Sequence, residues 1–308
     1  MTRRRWALVL AGGVISGFVC WLAYRLPPPS TSDFEPIWVG ARALLAGQDP
    51  YTVVPTTGTH YPLYYPLTAV VIGLPLAPLP FDLARVAWAA LSGAGFAWAA
   101  IRYGRGLPAA LLSANFLNAV IQGQWSPLMT AAAVVPALSW LLAAKPSIGA
   151  ALFAAFPSRR AVMASVALLA MSLVLFPSWP GRWVDSLGAS NHMSPVQSFG
   201  GFTLLLALIR WRRPEARLLT ALACVPQTIG LYDTLPLFLI PRSRWQGYAL
   251  AGLSYIAAFG QAALVPRTPG MTLEAMLAAR WPIVFVCLYL PALVMVFLPH
   301  PRDTAPAH

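Results

Sequence analysis

Apolar runs close to the length of a membrane crossing succeed one another along the chain, at residues 6–24, 65–80, 84–101, 107–122, 127–143, 147–157, 161–176, 197–211, 217–232, 233–241, 246–265 and 281–298. A helix that crosses a bilayer needs roughly 20 such residues. Inside lipid every backbone N–H and C=O has to be satisfied within the chain, so runs of this kind form helices. Several are shorter than a full crossing or broken by proline, which is tolerated where a segment lines a cavity enclosed by protein. The pattern predicts an all-α polytopic integral membrane protein, a single domain over residues 1–308 with roughly 10–12 transmembrane or half-spanning helices.

Only 10% of the 308 residues are charged, against about a quarter in a soluble globule. A net charge of +12 would direct a soluble protein toward nucleic acid, but here the arginines cluster in short stretches between apolar runs and read as topology signals, so no nucleic-acid partner is expected. By the positive-inside rule Arg3 to Arg5, Arg85, Arg159, Arg160, the run Arg210 to Arg217, Arg242 and Arg244 face the cytoplasm, leaving Arg25, Arg42, Arg102, Arg105, Arg182, Arg267 and Arg280 outside. The expected location is the cytoplasmic (inner) membrane, with the N-terminus and a short tail at 299–308 in the cytoplasm. The basic, apolar start MTRRRWALVL lacks a small-x-small cleavage site where one is due and reads as an uncleaved first transmembrane helix. Cys20, Cys224 and Cys287 lie in apolar runs with no disulfide or metal spacing.

The most polar part of the chain is Ser32 to Tyr51, within a first outer loop at 25–62. It holds Asp33, Glu35 and Asp49 out of nine acidic residues in all. Ile37, Ala41, Leu44 and Leu45 recur at helical spacing opposite Arg42 and Gln48, and Gly47 and Pro50 stop the helix, so an amphipathic helix on the membrane surface is expected. Asp33 precedes it at the edge of the low-dielectric region, where a carboxylate gains basicity and suits general-base work; with Ser32 it would equally serve as the helix cap.

The run from Asp33 through Trp38, GARALLAGQDPY and YPLYYPL at Tyr61 to Leu67 resembles the first outer loop and second span of glycosyltransferase family 87, mannosyltransferase-like membrane enzymes with the GT-C fold. Gly123-Gln124, Lys145-Pro146 and Tyr232-Asp233 agree in order along the chain, and the likeness covers roughly residues 6–245. It implies a GT-C-like bundle that transfers a sugar such as mannose or arabinose, with inversion, from a polyprenyl phosphate to an acceptor glycan or glycolipid on the outer face. Asp33 is then the base, and Lys145, with Arg42, lies near the donor phosphate. Gln48, Asp49, Tyr51, Tyr65, Gln124, His192 and Asp233 complete the expected substrate contacts. No cofactor or metal is called for; membrane lipids and a further membrane protein are the other expected partners.

Each residue also has a plainer reading. Lys145 could snorkel from a helix end, Asp233 in the apolar context LYDTLPLF could cap a half-helix, and His60 and His192, the histidines outside the C-terminal tail, could simply be solvated rather than bind a phosphate or assist a metal. The stretch 127–143 either crosses once, leaving Gln124 on the cytoplasmic side, or folds back at Pro136 and brings Gln124 and Lys145 to one side. The short chain also fits a rival class, a non-catalytic scaffold, assembly factor or lipid transporter built on the same fold.

Overall fold

The computed structural model describes residues 2–26, 32–188, 193–228, 230–266, 268 and 270–299. It is all-helical: among the described residues the only β pairing is a single antiparallel bridge between Met193 and Gln227. Three helices are long and apolar enough to cross a membrane, Arg3–Arg25, Phe81–Tyr103 and Ala275–Phe297. A fourth crossing results if Arg159–Leu175 and Trp179–Leu187, which meet at a 101° bend, form one span. Several of the remaining apolar runs become short helices or 3-10 turns, of which Leu67–Gly73 and Leu231–Leu239 are almost wholly buried while Pro136–Ala143 and Gly201–Arg210 bury one face. Of the roughly 10–12 transmembrane or half-spanning helices expected from hydropathy, three among the described residues are long and apolar enough to cross by themselves, and shorter segments such as Leu67–Gly73 and Leu231–Leu239 are buried in protein, which is as apolar a surrounding as lipid.

The first helix runs antiparallel to Phe81–Tyr103 along a seam of small residues. A Cβ added at Gly12 would lie 2.8 Å from the Ala97 Cβ, and one added at Gly93 would strike Ser16 and the Gly12 carbonyl oxygen. Backbones this close gain dispersion contacts, which drive helix association where lipid removes the hydrophobic effect. On the opposite side Val14, Ile15 and Phe18 stay exposed, as expected of a lipid-facing surface.

That antiparallel pairing corrects part of the charge reading. Trp6 meets Trp98, while the Arg85 guanidinium lies 4.0 Å over the Tyr24 ring and donates to the Cys20 carbonyl at 3.4 Å. Arg102 and Arg105 thus stand at the Arg3 to Arg5 end, and Arg85 is buried at the other, the reverse of the sides expected from the sequence. Arg105 bonds Glu215 at 2.9 Å, Arg217 donates to the Ala154 and Ala155 carbonyls, and both Arg213 and Arg242 donate to the Leu298 carbonyl. Arg102, Arg105, Arg159, Arg160, the Arg210 to Arg217 run, Arg242 and Arg244 therefore gather with Arg3 to Arg5, and only Arg25, Arg42, Arg85, Arg182, Arg280 and Lys145 remain at the opposite end among the described residues.

The amphipathic helix forms over Glu35–Leu45, with Pro36 in its first turn and the chain turning at Gly47. Its apolar stripe faces protein rather than lipid. Ile37 and Ala41 are fully buried beside Gly73, and Leu45, assigned to the stripe by spacing, points out.

Candidate functional site

At the arginine-poor end a cavity of about 880 Å³ opens between Asp33 and Pro36, the Tyr61 to Pro66 segment and the ends of several helices. Asp33 and Lys145 both line it. Each is carried there by local sequence. Phe34, the residue after Asp33, is fully buried and stacks on Trp88 at 4.8 Å, which anchors the backbone and leaves the carboxylate at the cavity wall. The Asp33 N–H donates to the Gln122 carbonyl at 2.9 Å. That approach depends on Gly123, whose φ of +65° turns the chain and where a Cβ would sit 2.8 Å from Ser32 Oγ.

Capping does not occupy Asp33. Phe34 holds the cap position of Glu35–Leu45, Ser32 Oγ accepts from the Phe34 N–H at 3.3 Å, and no hydrogen bond to the Asp33 carboxylate forms among the described residues. Burial disfavours its ionised form, the Lys145 ammonium opposes that effect and the Asp233 carboxylate adds to it; the Asp33 carboxyl is pushed up to about 7. A carboxyl tuned toward neutrality is suited to taking a proton.

Lys145 does not end a helix, as expected from its proline neighbour, but precedes one: Pro146 is the first residue of Pro146–Ala155. The ammonium makes a 2.7 Å ion pair with Asp233 Oδ1 and lies 5.7 Å from the Tyr232 ring centre. Asp233 is fully buried; its other oxygen accepts from the Thr228 N–H at 3.1 Å and from the Thr228 hydroxyl. This carboxylate is thus a fixed counter-ion behind Lys145 rather than a wall group. A chain separation of 88 residues hides such pairing from any local pattern.

The stretch 127–143 folds back. Ser126–Val134 leads away from the cavity, Val135 and Pro136 break it, and the 3-10 turn Pro136–Ala143 returns to Lys145. Gln122 and Lys145 consequently line one cavity. Gln124 itself is buried beside it, with neither amide atom bonded among the described residues.

The other expected contacts divide. Tyr65 lines the cavity. Arg42 does not: it lies 4.9 Å over Trp38 on the exposed side of its helix. Gln48 is exposed and also outside the cavity. Asp49 caps the Tyr51 N–H at 2.9 Å and pairs with Arg182 at 3.4 Å, while the Tyr51 hydroxyl holds the Tyr65 carbonyl at 2.9 Å, so both shape the wall from behind. His192 lies outside the described residues. His60, weighed in the sequence as a solvated loop histidine, also lines the cavity, which adds Asn118, Gln122, Gln261 and Arg280 to the site residues expected from the motifs. Asn118 and Gln261 carried a signal all the same, as polar side chains inside apolar runs.

Together these features define an all-helical protein, built with helices able to span a membrane, with a largely apolar cavity that carries an acid, a lysine and an arginine at the end poorest in arginine. No family model, curated protein or solved structure matches the chain.

Proposed function

We propose that this protein is a glycosyltransferase of the cytoplasmic membrane with a GT-C-like bundle, transferring a sugar from a polyprenyl phosphate to an acceptor hydroxyl on the outer face. The observation that carries the reading is one cavity containing a carboxylate with no hydrogen-bond donor among the described residues, Asp33, raised to about 7, together with a cation, Lys145. The gathering of arginines at the opposite end supports an outward cavity and a cytoplasmic N-terminus. In the reaction, Asp33 accepts the proton of the acceptor hydroxyl as that oxygen forms a bond to the anomeric carbon. The bond from that carbon to the phosphate oxygen breaks on the opposite face, and the polyprenyl phosphate leaves with the electron pair. Lys145, and Arg280 on the same cavity wall, offer positive charge to the phosphate.

Asp33→Asn in membranes supplied with a labelled polyprenyl-phosphate sugar tests the assignment. Loss of a general base lowers transfer roughly 10²- to 10⁴-fold, and undiminished transfer would remove Asp33 from the chemistry.

A non-catalytic scaffold or lipid transporter is favoured by one observation, the commitment of Lys145 to Asp233, since a buried ion pair can serve packing alone. Stoichiometric co-purification of another membrane protein, with no transfer from any lipid-linked sugar, would decide for it.

A further inference from the structure

At the end of the bundle away from the cavity, Arg217 ties two elements together. Its guanidinium donates to the Ala154 and Ala155 carbonyls, where Pro146–Ala155 ends, and to the Trp211 and Arg212 carbonyls, in the turn that follows Gly201–Arg210. This stitch draws four further arginines into one patch. Arg210 and Arg212 flank Trp211 in the turn, and Arg159 and Arg160 follow Ala155 by four and five residues, no more than about 18 Å of extended chain. All four are exposed, and none forms a hydrogen bond or ion pair among the described residues; Arg212 rests 5.9 Å over the Trp211 ring.

The protein supplies these charges with no counter-ion. Among the described residues Glu215 is the one acidic side chain at this end, and it is 4% exposed and already paired with Arg105 at 2.9 Å. Four uncompensated cations so close together repel one another, so their neutralising charge comes from outside the chain. The patch is also bordered by exposed apolar side chains, Leu206 and Ile209 on one element and Val162 and Met163 on the other, with Trp211 58% exposed between guanidinium groups. An indole beside arginines, with aliphatic side chains about a turn away, fits the level where lipid headgroups meet acyl chains.

We infer that this patch binds an anionic phospholipid of the surrounding leaflet, with the phosphodiester between Arg159, Arg160, Arg210 and Arg212 and the acyl chains along Ile209, Val162 and Met163. Every cation in the patch is an arginine, whose planar fork holds two phosphate oxygens at once; lysine would mark topology equally well but meets phosphate as a point charge. A soluble phosphate would use the arginines and leave the apolar border without a partner, whereas a phospholipid uses both. The inference concerns a site remote from the cavity and holds whatever chemistry the cavity performs.

The test places the full chain in phosphatidylcholine nanodiscs containing a small fraction of phosphatidylglycerol with brominated acyl chains, which quench a nearby indole. The difference in emission between the parent and Trp211→Phe isolates Trp211. Brominated phosphatidylglycerol is expected to quench it about fivefold more than brominated phosphatidylcholine at the same mole fraction, the factor that one arginine supplies at an anionic bilayer surface. Combining Arg159→Gln, Arg160→Gln, Arg210→Gln and Arg212→Gln should bring the ratio to about one. Each pair, Arg159→Gln with Arg160→Gln or Arg210→Gln with Arg212→Gln, should lower it separately, which keeps the test decisive if the fourfold variant does not fold. Arg25→Gln, at the opposite end, should leave it unchanged. Equal quenching by the two lipids in the parent would reduce the patch to a topology signal. An unchanged ratio in the arginine variants, equal loss in Arg25→Gln, or abolition of the preference by inorganic phosphate, which would make this a site for a soluble anion, would likewise overturn the inference.

Discussion

The ammonium of Lys145 lies 2.7 Å from Asp233 Oδ1, and only the lysine of that pair reaches the cavity. With the Asp233 carboxylate fully buried, the pair positions one cation at the wall and neutralises it there. Any anionic ligand at Lys145 therefore meets a charge already oriented, at the cost of sharing it with Asp233.

Breaking this pair from one side leaves an uncompensated charge in the interior. Asp233→Ala is expected to destabilise the protein by about 3–5 kcal/mol, whereas Lys145→Met combined with Asp233→Leu is expected to recover most of that loss while abolishing transfer. Thermal unfolding in detergent, followed with sugar-transfer assays on the same preparations, checks both halves. A double variant less stable than Asp233→Ala would show that the pair contributes by more than charge compensation.

Asp33 makes a claim about pH with a definite sign. Its carboxyl, raised from 3.8 to about 7, holds a proton in the folded state that the unfolded chain has already released between those values. The folded protein therefore binds more protons there, and this group's contribution to stability declines as pH rises from about 4 to about 7. Asp33→Asn, which cannot ionise, is expected to be more stable than the parent by about 1–3 kcal/mol at pH 8 and nearly equal to it at pH 4. Transfer by the parent should rise with pH through about 7, as the base becomes available. A pH-independent melting difference, or activity that falls over that interval, would contradict the assignment.

The small-residue seam should fix the first helix. Gly93→Leu places a side chain against Ser16 and the Gly12 carbonyl, with an expected cost of about 1–3 kcal/mol or more from overpacking. A cystine cross-link engineered between the first helix and Phe81–Tyr103 should form readily in the parent and poorly in Gly93→Leu. Equal cross-linking would mean that the two helices can separate without loss.

Sidedness follows from the distribution of arginines. His60→Cys, at the cavity rim, is expected to react with a membrane-impermeant maleimide in intact cells, and Arg160→Cys only after permeabilisation. Both are best made on a Cys224→Ser background, since Cys224 is the exposed one of the three native thiols while Cys20 and Cys287 are buried. The reverse pattern would turn the cavity to the cytoplasm and end the proposal of an outer-face donor.

The class of this protein, and the polar segment where its candidate site lies, were legible in the sequence by itself. Lipid and protein interior both demand that backbone groups be satisfied locally, so apolar runs announced helices, and Gly47 and Pro50 announced where one of them stops. Asp33 and Lys145 stood out because ionisable groups are expensive in such surroundings. Tertiary structure alone decided how many runs are long enough to cross, because hydropathy does not distinguish a neighbour helix from a lipid tail. It also decided the side on which Arg85, Arg102 and Arg105 lie, since sidedness depends on which helices pack antiparallel. The partnership of Lys145 with Asp233 and the fold-back at Pro136 likewise arise from packing across long separations in sequence, where no local spacing records which polar groups will share a cavity and which will be shut behind it.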